Sequence, residues 1–346
     1  MDAEVFSSRS GFRDAFESGL LRLLGHEGLG SFILVLANAS IEPDLFARSH
    51  PLLADRFDRL AASYREALRG ARSVADAEDD QVVFLKLLAV GLGHVQPTQT
   101  RYAGPWEVQF NPLRAFRPPR AARVVPKGIR AEFDAHGFHF NKRFLQREIF
   151  WSGDLGGRSV ALFYNKYPFV ELHGLLVPDR ADHRPQFLTR EDHLYVWRLA
   201  QDLSRTLPGV GFGYNAYGAF ASVNHLHFQM FVRTRNLPVT DPRWAHNGGP
   251  EAYPAPCEVY ASAEEAWSRV LDLHGRETPY NLIYAAGQLY CLPRRRQGTY
   301  EQAPWTGGFA WYEMAGGFTV FNRPDYEDLE PAAIARELAR AARVES

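Results

Sequence analysis

Over residues 222–231, SVNHLHFQMF, polar and apolar positions alternate: His225, His227 and Gln229 fall between Leu226, Phe228 and Met230. A strand has a side-chain period of two, so the alternation predicts a strand with one His-His-Gln face and one packing face. The first hundred residues follow the helical period instead. Phe12, Phe16, Leu20 and Leu23 recur before Gly25, and Phe57, Leu60, Tyr64 and Leu68 before Gly70, which predicts two helices with glycine stops. DDQVVFLKLLAVGLG (79–93) is apolar nearly all round and predicts a buried helix. Residues 96–128 are rich in Pro and Arg and read as a strand or two joined by ordered loops.

From residue 130 the texture is mostly strand. Segments 137–145, 159–164 and 172–178 are candidates. Thr189 and Asp192 resemble a capping box opening a helix with Leu194, Trp197, Ala200 and Leu203 on one face. Ser262 and Glu265 cap another helix, which buries Trp267, Val270 and Leu271 and stops at Gly275. Segments 280–293 and 309–322 read as hairpins turning at Gly287 and at Gly316–Gly317, and Pro331 opens a last short helix. Hairpins with helices between them predict an α+β fold: a mainly antiparallel sheet with flanking helices. The organisation expected is an N-terminal helical extension over residues 1–100 and a sheet-containing domain over 101–346.

Charge and composition narrow the classes. A formal net charge of -1 gives no general electrostatic case for nucleic acid or a membrane surface. Cys257 and Cys291 are the only cysteines, which argues against a disulfide framework and a cysteine zinc site. The N-terminal MDAEVFSSRSGFRD has no apolar h-region, and the chain has no run of about 18 apolar residues, so a cytoplasmic protein is expected.

Two histidines on a half-exposed strand are often merely solvated. Here Gln229 continues the polar face, Ser222 and Asn224 precede it, and GVGFGYNAYGAFAS (209–222) is dense in small residues that let backbone N–H groups approach a ligand. GVGFG precedes a strand rather than opening a helix, so a dinucleotide fingerprint is excluded. Metal is one functional reading, since two imidazoles two apart make a half-site. A cupin, however, needs a Gly six before the first His and a Glu after the second. Gly218 lies seven before His225, and Phe231 and Val232 occupy the Glu region. The other reading is nucleophilic. A neutral imidazole attacks phosphorus, with neighbours fixing its tautomer and neutral donors holding the phosphoryl oxygens. His227 is central on the face, with His225 and Gln229 each about 7 Å away along the strand.

HxHxQ between apolar residues resembles the signature of the nucleotidyl-transferring branch of the histidine-triad superfamily, which includes galactose-1-phosphate uridylyltransferase and the diadenosine tetraphosphate phosphorylases. GYNAYGAFASVNHLHFQMF (213–231) resembles the core of the GDP-hexose phosphorylases, the GDP-L-galactose and GDP-D-glucose phosphorylase family. Residues 278–295 and 311–328 resemble that family's C-terminal region, and 108–120 and 138–151 its earlier strands, so the resemblance covers roughly 105–340. It implies a histidine-triad-like domain and two-step phosphorolysis of a GDP-hexose by inorganic phosphate, without cofactor or metal, and it leaves a homodimer open. It implies His227 as nucleophile, His225 as its orienter and Gln229 as holder of the phosphoryl group. Ser222 and the Gly218 turn would contact phosphate, with Asn215 and Asn224 as further candidates in the same stretch. Asn165 and Lys166 match a segment near the ribose and phosphates.

Segment 165–178 is also similar to the dinucleoside polyphosphate phosphorylases, so the alternative is phosphorolysis of a dinucleoside polyphosphate or transfer from another sugar nucleotide. A non-catalytic nucleotide sensor and an HxH metal enzyme are the alternatives from other classes. Arg114, Arg117, Arg120 and Arg123, with Lys127, could neutralise a pyrophosphate or incoming phosphate. Arg294, Arg295 and Arg296 read as an exposed charged turn, and His173 as a core histidine facing the region of Asn165.

Overall fold

A computed structural model describes residues 4–117 and 126–342. The chain opens with four helices, α1 (Arg9–Leu23), α2 (Leu29–Ala39), α3 (Pro43–Arg69) and α4 (Glu78–Val90). Then follow β1 (Gln99–Ala103), β2 (Trp106–Phe110), the short α5 (Pro112–Phe116), β3 (Ile149–Leu155), β4 (Arg158–Tyr164), β5 (Gly174–Pro178), α6 (Arg190–Leu203), β6 (Val210–Asn215) and β7 (Phe228–Val232). The rest is β8 (Glu258–Tyr260), α7 (Ala263–Gly275), β9 (Tyr280–Ala285), β10 (Gln288–Pro293), α8 (Trp311–Met314), β11 (Gly317–Val320), α9 (Arg323–Asp328) and α10 (Pro331–Ala341). Among the described residues no helix is long and apolar enough to cross a membrane.

Eight strands form one antiparallel sheet in the order β3-β4-β5-β7-β6-β9-β10-β8. Its two faces feed two cores, sorted by the period-two alternation. Phe228, Met230, Leu282, Tyr284, Leu289 and Cys291 join the core that contains α6, α7 and the N-terminal helices. Phe231, Ile283, Tyr290 and Leu292 join the other, which a three-stranded sheet β1-β2-β11 and helices α8 and α10 complete. The N-terminal helices share the first core directly. Phe16 meets Tyr164 at 4.9 Å, Phe6 meets Trp151 at 4.9 Å, and a Cβ on Gly19 would lie 2.2 Å from the Tyr164 hydroxyl.

The antiparallel α+β architecture, the capped helices at Thr189 and Ser262, and the Gly287 hairpin are as the sequence predicts. Several local expectations fail. Segment 137–145 is no strand: it turns at 139–142 and enters a 3-10 helix (Arg143–Glu148). Its Phe alternation buries Phe140 and leaves Phe138 and Phe144 exposed; the Asn141 N–H bonds locally to the His139 ring, and the Asn141 side chain donates to the distant Arg180 carbonyl, where a ladder would form. Segment 309–322 is no hairpin either. Helix α8 intervenes, and β11 pairs in parallel with β2. Leu271 lies on the exposed side of α7, and Leu85 and Val90 are exposed on α4. The fully buried helix of the N-terminal region is instead α2, all eleven of whose residues are buried. The His face starts before its strand: β7 begins at Phe228.

Candidate nucleotidyl-transfer site

His225 closes a bend and Leu226 and His227 lead from it into β7 unpaired in the sheet, so the segment 184–188 supplies their hydrogen-bond partners. Leu226 N–H donates to the Arg184 carbonyl at 2.9 Å. The Gln186 carboxamide clamps His227 at both main-chain groups, accepting its N–H at 2.9 Å and donating to its carbonyl at 3.2 Å. Gln186 also donates to the Asn215 carbonyl at 3.0 Å, which ties the end of β6 to the same residue. These bonds satisfy a buried backbone that the sheet leaves open.

The His227 imidazole Nδ1 lies 2.8 Å from the His225 carbonyl oxygen. A carbonyl only accepts, so Nδ1 carries the proton and Nε2 presents its lone pair. His227 is 4 % exposed, and burial lowers its pKa to about 4, which keeps the ring neutral near pH 7. The orienting group is therefore the main-chain carbonyl of His225. The His225 imidazole turns elsewhere: its Nδ1 accepts the Phe140 N–H at 3.1 Å, and its ring packs beside Phe133 and Phe140.

Gln229 sits within the sheet, opposite Leu175 on β5 and Gly213 on β6. The Trp311 indole N–H donates to its Oε1 at 2.9 Å. An indole can only donate, so the amide orientation is fixed and its NH₂ points away. That NH₂ has no hydrogen-bond partner among the described residues. Gly213 makes this possible, because a Cβ there would lie 2.3 Å from the Trp311 ring. Gly211 likewise clears space for Phe231, which stacks on Trp311 at 5.1 Å. Gly211 and Gly213 of GVGFG thus admit rings.

Fully buried His173 completes the support. The Phe169 N–H faces its Nδ1 at 3.4 Å, which leaves the proton on Nε2, and Nε2 donates to Gln229 Oε1 at 3.1 Å. Asn165 Nδ2 lies 3.2 Å from the same Nε2, whose proton is already given to Gln229, so the Asn165 amide protons stay unspent. Asn165 Oδ1 accepts the Tyr167 N–H at 3.0 Å, which fixes that amide too.

The structure therefore joins Gln229 and His173 by a hydrogen bond, with Asn165 against His173 Nε2 and His227 two residues before Gln229 along the chain. Other expected contacts are placed differently. The Asn215 side chain is internal: its Oδ1 accepts from Asn281 at 2.7 Å and from the Trp311 backbone N–H at 2.8 Å. The Asn224 amide is also spent, accepting the Gln186 N–H and donating to the Ala131 and Glu132 carbonyls. Ser222 is exposed on the turn, and Gly218 has a φ of 87°, the left-handed region. Phe220 shares that region with a φ of 66°, uncommon for a bulky residue. Its N–H donates to Gln297 at 2.6 Å, and the Arg294 guanidinium covers its ring at 4.9 Å. Arg294 is thus no surface residue. It is fully buried and donates to Asn281, Tyr300 and the Phe309 carbonyl.

Lys166 is ion-paired to Asp80 of α4 at 2.5 Å. Half-buried Arg114 lies over the Phe169 ring at 5.2 Å, with one long bond of 3.4 Å to the Pro168 carbonyl and no carboxylate within ion-pair distance among the described residues. Arg117 lies over Tyr167 at 4.8 Å, while Arg120 and Arg123 fall outside the described residues. Among the described residues no group of three or more His, Cys, Asp or Glu is arranged to hold a metal ion. Gln186 and Trp311 carry no local sequence signal for their roles, since each acts through a contact far along the chain.

The buried imidazoles make stability pH-dependent. Burial lowers the pKa of His173 to about 3 and of His225 and His227 to about 4, from 6.5. The unfolded chain therefore binds protons before the folded one. Their contribution is whole above pH 6.5 and is lost progressively as pH falls from 6.5 through about 4. The thermal midpoint should be flat from about pH 8 to 7 and should fall steadily below about 6.5. Burial raises the Glu148 carboxyl to about 7, which opposes part of this fall, so a Glu148→Gln variant whose midpoint stays unchanged down to about pH 4.5 would refute the buried neutral assignment.

Residues 107–231 match a family described as GDPGP1-like, N-terminal domain, and this span holds every candidate site residue from Arg114 to Gln229. The chain is similar to GDP-D-glucose phosphorylase 1 of Danio rerio, at 34% identity over 132 residues, 38% of this chain and 37% of that protein. It is similar to the Homo sapiens protein of the same name at 33% over 134 residues, 36% and 32% of the two chains. GDP-L-galactose phosphorylase 1 of Arabidopsis thaliana matches at 24% over 250 residues, 60% of this chain and 56% of that one. The chain thus spans between about a third and just over half the length of these relatives. The fold is like that of yeast Ap4A phosphorylase Apa2 in complex with AMP, with a TM-score of 0.50 at 18% identity, covering 78% of this chain and 99% of that one. The expected likeness to the GDP-hexose phosphorylases holds, as does the histidine-triad type of fold.

Proposed function

We propose that this protein is a GDP-hexose phosphorylase of the cytoplasm that works through a covalent nucleotidyl-histidine. The carrying observation is the neutral His227, its Nδ1 proton given to the His225 carbonyl and its Nε2 lone pair left free. In the first step Nε2 attacks the α-phosphorus of GDP-hexose. The N–P bond forms, the P–O bond to the β-phosphate breaks, and hexose 1-phosphate leaves with the electron pair. The adduct ring becomes cationic, its Nδ1 keeping its proton, and the hydrogen bond from Nδ1 to the His225 carbonyl stabilises that charge. In the second step an oxygen of inorganic phosphate attacks the same phosphorus, the N–P bond breaks, and GDP is released.

Gln229 fits this route. A departing phosphate monoester has a second pKa of about 6, so it is stable as a dianion and needs no proton from the enzyme. A neutral amide that only donates hydrogen bonds is then sufficient, and the locked orientation of Gln229 supplies it. The Asn165 amide adds a second neutral donor beside His173. Arg114 is the cation best suited to the acceptor phosphate, since it feels buried Glu313 only at a distance and makes no direct ion pair among the described residues. The test is incubation with GDP-glucose, GDP-mannose, UDP-glucose and diadenosine tetraphosphate, each with and without phosphate. Phosphate-dependent release of hexose 1-phosphate and GDP from a GDP-hexose is expected. Turnover confined to diadenosine tetraphosphate would replace the substrate, and turnover of none would remove the function.

A further inference from the structure

The last turn of α2 grips the site from the N-terminal side. Asn38 lies in a helix that is otherwise Leu, Ile, Val, Phe, Ala, Gly and one Ser, with all eleven residues buried. A buried carboxamide costs stability unless its protons are bonded. One bond returns to Leu34 in the same helix at 2.9 Å, and the other crosses to the Asn165 carbonyl at 2.9 Å. Two residues on, the Ser40 hydroxyl accepts from Asn111 at 2.8 Å, and Asn111 caps α5, the helix that carries Arg114. Asp80 of α4 holds Lys166, and Gly30 of α2 leaves room for that pair, since a Cβ there would lie 2.9 Å from the Asp80 carboxylate. Three contacts from the N-terminal helices thus reach the loop 165–169 and α5.

That loop in turn encloses His173. Asn165 abuts its Nε2, the Phe169 N–H faces its Nδ1, and the Phe169 ring packs on it at 4.5 Å. His173 then donates to Gln229. We propose that Asn38 is a positioning residue for nucleotidyl transfer: through the Asn165 carbonyl it fixes the loop that seats His173 and Gln229, so the N-terminal helices are a working part of the site. This rests on the transfer reaction proposed above.

The test is a double-substitution cycle on the full chain, read as the single-turnover rate of GMP transfer from GDP-glucose without phosphate. Asn38→Leu keeps the buried volume and removes the bond to Asn165. The transfer rate should fall about tenfold while the Kd for GDP stays within about twofold. In a Gln229→Ala background, where there is no amide left to place, Asn38→Leu should change the rate less than about twofold. Equal losses in both backgrounds would mean a structural role only, and a wild-type rate in Asn38→Leu would equally overturn the proposal. If Asn38→Leu does not fold, Asn38→Ser, too short to reach Asn165, carries the same cycle. A wild type that labels only with diadenosine tetraphosphate moves the cycle to that donor and corrects the substrate alone. A wild type that labels with neither overturns both the function and this inference.

Discussion

His227→Ala loses turnover by about 10⁴-fold or more, and His225→Ala does not. The asymmetry follows from which atoms each residue contributes. His227 supplies the reacting Nε2, whereas the imidazole bonded to Gln229, that of His173, has its Nε2 engaged with Gln229 and its Nδ1 facing the Phe169 N–H. His225 supplies its main-chain carbonyl, which alanine retains. What His225→Ala loses is the bond from Phe140 N–H, the ring's bond to the Arg180 backbone and packing against Phe133 and Phe140, so the His227 segment loosens without losing its tautomer. A reduction of about 10- to 100-fold is expected there. Steady-state kcat for both variants, with GDP-glucose and phosphate, checks the pair. Equal losses would contradict the division between nucleophile and carbonyl orienter.

Gln229→Glu is expected to lower kcat by about 10²- to 10³-fold while leaving the fold intact. The carboxylate has the same shape and still accepts from Trp311 and His173, so the local hydrogen bonds survive. The amide NH₂ disappears, and a negative charge stands where phosphoryl oxygens gather charge in the transition state. In a site shielded from water that repulsion is weakly screened. Trp311→Phe is the companion substitution: it keeps Gln229 but removes one of the two donors that hold its Oε1, leaving His173, so a smaller loss of the same kind is expected. A kcat for Gln229→Glu within a few-fold of wild type would mean that the amide does not hold the phosphoryl group.

The two faces of the His segment were legible because period two survives even where the ladder stops. Leu226, Phe228 and Met230 enter one core and Phe231 the other, as the alternation requires. The start of the strand was not legible, because the partner of His227 is a single side chain, Gln186, in a loop about forty residues earlier. His225 is expected as orienter from its place on the polar face, and what reaches His227 Nδ1 is its main-chain carbonyl, which no side-chain pattern displays. Trp311 escaped for a related reason: the indole reaches Gln229 only because Gly213 lacks a Cβ, and the two are joined by no spacing rule. Among helices, periodicity found those with one wet face and missed α2, whose continuous apolar run has no face to reveal. Arg294 looked like surface charge because its neighbours are Arg295 and Arg296. Only the fold shows it buried beneath the strained Phe220 turn.

The most direct test of the covalent route is the mass of the intact protein after incubation with GDP-glucose in the absence of phosphate. Wild type should gain one GMP, the gain should vanish when phosphate is then added and GDP appears, and His227→Ala should show no gain. An unmodified wild type that nonetheless releases GDP rapidly once phosphate is supplied would contradict the account, because the displacement would then be direct and His227 would not be a nucleophile.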